Sequence, residues 1–76
     1  MNKQRRREID LIIAKIEDAK IHLENIIQEE QDFLDNMPEN MQAGDRGQKS
    51  EEAVSNLETA LDQLDESVSS LIEAQQ

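Results

Sequence analysis

The chain has 76 residues, no cysteine, tryptophan or tyrosine, a single phenylalanine, and a formal charge of −10. That length allows one small domain, residues 1–76, with a marginal core, and without cysteine neither disulfides nor a thiolate metal site can reinforce it. No apolar run is long enough to span a bilayer, and Arg5 to Arg7 lead into a charged amphipathic segment, not a signal sequence, so a cytoplasmic protein with no membrane contact is expected.

The charge is uneven. Residues 1–20 carry six Lys/Arg against four Asp/Glu, residues 21–44 carry six acids and no Lys/Arg, and residues 45–76 carry eight acids against two bases. A surface this acidic repels nucleic acid. Such composition also suits a disordered chain, but the apolar periodicity argues for helices.

The first predicted element is a helix over about residues 4–36. Ile9, Ile12, Ile13, Ile16, Ala19, Leu23, Ile26, Ile27, Phe33 and Leu34 fall on one face at helical spacing, in a stripe broader than a coiled-coil seam. Leu11 and Ile21 lie away from its centre. Nothing alternates at period two, so the β-branched residues do not read as strands.

Lys3, Arg5, Arg6 and Arg7 open this helix and form the only basic cluster. Such a cluster can grip phosphate or an acidic partner. Positive charge at a helix N-terminus opposes the macrodipole, by about 0.3–1 kcal/mol per exposed group. Pairing of Arg5 to Arg7 with Glu66, Glu73 and the terminal carboxylate across a hairpin would offset that, as would solvation of a frayed arm. His22, the only histidine, has no nucleophile placed beside it by motif and reads as a partly exposed helix residue.

A turn follows over about residues 37–45. Pro38 ends the first helix, because it lacks an amide hydrogen and drives Met37 away from α geometry. Gly44 and Gly47 read as turn glycines, since no strand precedes them and no phosphate-loop Lys-Ser/Thr pattern follows. Acids gather around this tip: Glu29, Glu30, Asp32, Asp35, Glu39, Asp45, Glu51 and Glu52. They make a candidate contact for a basic partner, weighed against an ordinary solvated charged face. Glu30 falls on or near the apolar stripe. No calcium-loop pattern and no His set for zinc is present, so no metal or cofactor is expected.

The second helix is predicted over about residues 46–74. Val54, Leu57, Leu61, Leu64, Val68 and Leu71 alternate steps of three and four, with Ala53, Ala60 and Ile72 on the flanks. Asp45 is the expected cap, with Gln48 completing a variant capping box, and Ser50 is the alternative start.

Two helices of similar length with matching apolar faces and a short connection predict an all-α antiparallel hairpin. Its core seam is Ile9, Ile12, Ile16, Leu23, Ile26, Ile27 and Phe33 against Val54, Leu57, Leu61, Leu64, Val68 and Leu71, with Met37 and Met41 closing the loop end. A lone hairpin leaves much of each stripe exposed. Two hairpins are therefore expected to pair as a homodimer into a four-helix bundle.

The stretch "FLDNMPENMQAGDRGQKSEEAVSNLETALDQL" resembles a pattern in small proteins of phages and mobile elements: a basic start, an acidic helix ending before an "NMPEN"-like turn, then an "RG" and an Ala/Leu/Glu-rich helix. The resemblance implies a phage or prophage accessory protein, hence host cytoplasm, and carries no activity. No nucleophile, base and oxyanion donor can be grouped, so an enzyme is not expected. The expected function is binding of a host or viral protein, with the acidic tip as contact. The alternatives are an acidic nucleic-acid mimic that blocks a DNA- or RNA-binding defence protein, and direct nucleic-acid binding through the basic cluster.

Overall fold

The computed structural model describes Met1–Gln76 and contains three helices: α1 (Lys3–Asp35), α2 (Glu39–Gln42) and α3 (Asp45–Ala74). α1 and α3 run antiparallel as a hairpin, and the molecule measures 58 × 15 × 12 Å. The chain doubles back as the apolar spacing predicts.

α1 starts at Asn2, whose Oδ1 accepts a 2.8 Å hydrogen bond from the Arg5 amide. This satisfies one of the unpaired amides of the first turn. At its other end Asn36 folds back, its Nδ2 donating to the Asp32 carbonyl at 2.8 Å. Gln42 covers two further carbonyls that no helical amide reaches, donating to Met37 O at 2.9 Å and Leu34 O at 3.2 Å.

The connection is more ordered than a loop. Pro38 is the N-cap of α2, a single turn closed by Met41 and Gln42 amides donating to its carbonyl. A proline at a helix start loses nothing, because amides there have no helical partner. α3 begins at Asp45 with Gly44 as cap and no side-chain cap bond. Asp45 is therefore inside the first turn, where its charge suits the macrodipole, and Gln48 reaches only the Ala43 carbonyl at 3.5 Å.

Gly47 is not a turn residue. It is buried in the first turns of α3, where a Cβ would fall on the Gln42 backbone of α2. Its missing side chain lets the two backbones touch.

The seam differs in detail from the expected one. α1 turns inward Ile9, Ile13, Ile16, Lys20, Leu23, Ile27, Glu30 and Leu34, while α3 turns inward Gly47, Ser50, Val54, Leu57, Leu61, Leu64, Val68 and Leu71, with Gln75 at its C-cap continuing the row. Both rows alternate steps of three and four. Ile12, Ile26 and Phe33, expected in the core, are 46, 51 and 50 % exposed. The reason is geometric: α1 carries three adjacent apolar rows, and a single partner helix covers only two of them.

The core is consequently thin. Only Leu34, Met37, Val54 and Val68 are buried apolar residues, and no large side chain is fully enclosed. The chain exposes 5783 Å², against about 4,700 Å² for a compact protein of its mass. Its radius of gyration is 17.3 Å, where a compact chain of this length gives about 11 Å.

Candidate functional site

Four polar residues stand on the seam, Lys20 and Glu30 of α1, Ser50 of α3 and Gln75 just past its end, and each is paired. Lys20 occupies an inward position of α1, with its side chain 16 % exposed, and its ammonium reaches Glu17 at 3.2 Å and Asp65 of α3. The Asp65 carboxylate is the main cause of a raised Lys20 pKa, with Glu17 adding to it and partial burial opposing it. Nearer the tip, Ser50, only 4 % exposed, donates to Glu30 Oε1 at 2.6 Å. No buried side-chain polar atom lacks a partner.

These contacts, with the 2.9 Å bond from Gln75 Nε2 to Asp10 Oδ1, set which edge of the hairpin is which. Residues one step beyond the seam, seven apart, form a row on each side of each helix. The edge toward which Lys20 leans carries Asp10, Glu17, Glu24 and Gln31 from α1 and Glu51, Glu58 and Asp65 from α3, with Ile72 the one apolar residue at its far end. The opposite edge carries Ile12, Ala19, Ile26 and Phe33 from α1 beside Ala53, Ala60, Ser67 and Ala74 from α3. One edge is acidic and the other apolar. The mixed composition of α1 concealed this until its inward rows were known.

The acids singled out at the tip do not make one face. Glu29, Asp32, Asp35, Glu39, Asp45, Glu51 and Glu52 are exposed and radiate around the loop end, while Glu30 turns inward to Ser50. Asp32 and Asp35 accept hydrogen bonds from Gln28 and Gln31 one turn before them. No group of three or more His, Cys, Asp or Glu converges as a metal site would require.

At the other end, Lys3, Arg5, Arg6 and Arg7 are all exposed. The two ion pairs of the chain are both made by Lys20, so the expected pairing of Arg5 to Arg7 with Glu66 and Glu73 is absent. Gln75 and Asp10 close that end instead. His22 is exposed on α1 beside the apolar edge. The one surface depression is shallow and lies on α3, lined by Gln63, Glu66, Ser67, Ser70 and Leu71. No helix is long and apolar enough to cross a membrane. Compared with family models, curated proteins and solved structures, the chain matches none.

Proposed function

We infer that the chain is a non-enzymatic protein-interaction module, in which hairpins pair into a four-helix bundle and the bundle presents its acidic ends to a basic surface on another protein. The observation that carries this reading is the apolar edge, where Ile12, Ile26 and Phe33 stand half exposed in a row. Apolar side chains aligned at seven-residue spacing along a helix are what a further helix packs against. The "NMPEN" turn supports a role as a phage or mobile-element accessory protein. Mass measurement in solution tests the pairing. A pull-down comparing the wild type with a charge reversal of Glu39, Asp45, Glu51 and Glu52 tests the ends, and equal recovery from both would remove them as the contact.

The acidic edge favours a second reading, a nucleic-acid mimic. Its carboxylates run along the hairpin and are not confined to the tip, as the phosphates of a duplex run along its grooves. Binding to such a target would weaken steeply with added salt and be displaced by duplex DNA. Insensitivity to salt would remove this reading.

A further inference from the structure

Resting on the reading of the hairpin as a pairing module, we propose that the apolar edge is covered by the same edge of a second copy, with the two α1 helices antiparallel about a two-fold axis beside His22. The tips of the two hairpins then lie at opposite ends of the assembly.

The row itself is self-complementary in this arrangement. An antiparallel pair centred between His22 and Leu23 sets Ile12 opposite Phe33 of the second copy and Ala19 opposite its Ile26. Each contact recurs by symmetry. The small Ala19 receives the larger Ile26, so the helices approach without a void or a clash.

Charge selects the orientation. The same register brings Lys15 beside Glu29 of the second copy, with its reciprocal pair, and sets the N-terminal turn of each α1, with Arg5 on the edge row, at the end where the other copy's α1 gives way to its acidic tip. Arg5, Arg6 and Arg7 have no ion-pair partner within their own hairpin, and here they stand at the same end as the second copy's acidic tip, leaving its outward acids open to a further partner. Turning the second hairpin so that both tips share an end would superpose two segments that each carry six acids and no Lys/Arg over residues 21–44. It would also leave both basic clusters unpaired. Like charges set face to face oppose that packing.

The area agrees. The surface in excess of a compact chain, about 1,000 Å² per copy by mass scaling, is close to the roughly 800 Å² that each partner contributes to a standard interface. Inward-facing Lys20 points to the same conclusion. A helix that buries the row Ile13, Lys20, Ile27 and Leu34 while exposing Ile12, Ala19, Ile26 and Phe33 has a wholly apolar row still unused.

The test uses nitroxide labels on His22→Cys and, separately, Glu39→Cys in the full chain, which has no native cysteine. Distances are read by double electron–electron resonance, with the mass of each sample measured alongside. α1 ends at Asp35, about twelve residues from the axis in each copy, so labels just past that end at position 39 are expected about 40 Å or more apart at 1.5 Å per residue. Labels at position 22 are expected within about 20 Å, across one helix–helix spacing of about 8–10 Å plus the label arms.

A mass of two chains with a short distance at position 39 would overturn this arrangement and leave the pairing reading intact. A two-chain mass with a long distance at position 22 would overturn the α1 contact alone. A mass of one chain overturns both. Ile26→Lys supplies an independent arm: it is expected to halve the mass, and an unchanged two-chain mass in that variant would overturn the proposal.

Discussion

Gly44 and Gly47 sit three residues apart, the first at the cap of α3 and the second inside its first turn, and the structure separates their roles. A Cβ on Gly47 meets the Gln42 backbone, whereas one on Gly44 has only ordinary contacts at 3.5 and 3.6 Å. Gly47→Ala is therefore expected to cost about 1–3 kcal/mol, the range for forcing extra volume into a packed contact. Gly44→Ala is expected to stay within about 0.5 kcal/mol. Urea unfolding of the two variants side by side reads the difference. Equal midpoints would mean that α2 does not rest on α3 as described. Ser50→Ala removes the one hydrogen bond that Glu30 receives across the hairpin. With Glu30 partly exposed, a loss of about 1 kcal/mol is expected in the same measurement, below the full value for a buried charged pair.

At the scale of the helix, Lys20 trades stability for register. A single polar residue at an inward coiled-coil position fixes alignment and partner number while weakening the seam. Lys20→Leu is expected to raise the thermal midpoint and to broaden the distribution of oligomeric masses. A lower midpoint would show the ion pair to be a net support. The pH dependence has a definite sign. The folded-state pKa of Lys20 is raised, chiefly by Asp65, so the folded chain holds this proton more tightly than the unfolded one. The contribution is complete at neutral pH and is lost only as pH rises through the alkaline range of the raised lysine. Wild type is expected to lose stability there more steeply than Lys20→Leu.

The register of α3 could be read directly, because Val54 to Leu71 offers one unbroken row of threes and fours. α1 could not be phased in the same way. From Ile9 the steps lead equally well through Ile12, Ala19, Ile26 and Phe33 or through Ile13, Lys20, Ile27 and Leu34, and the first path is the more apolar. Helix–helix packing chose the second, because Lys20 there meets Asp65 and Glu30 meets Ser50. Such pairings across the hairpin cannot be seen in the spacing of one helix. The close approach at Gly47 is hidden for a similar reason: the spacing puts this glycine in the first turn of the second helix, but only the fold brings the Gln42 backbone against it. The acidic tip was legible as composition, but its residues spread around the loop end, which only the helix phases reveal.

For the molecule as a whole, a thin seam and an excess of exposed surface belong together. A core in which no large side chain is fully enclosed gives a marginal single hairpin, and covering the apolar edge is the available route to more burial. Leu61→Ala and Leu64→Ala cut the seam itself and are each expected to cost about 2 kcal/mol, at the low end for core leucines because these sites are half buried. Leu11→Ser and Ile21→Ser, on exposed positions away from the apolar edge, are expected to change thermal stability by less than about 0.5 kcal/mol. Ile26→Ser, equally exposed in the hairpin, is expected instead to lower the midpoint in a way that depends on protein concentration. The most direct test of this account is the sedimentation-equilibrium mass of the wild-type chain at micromolar concentration. The account predicts twice the 8.7 kDa of one chain, and a helical species of 8.7 kDa would contradict it.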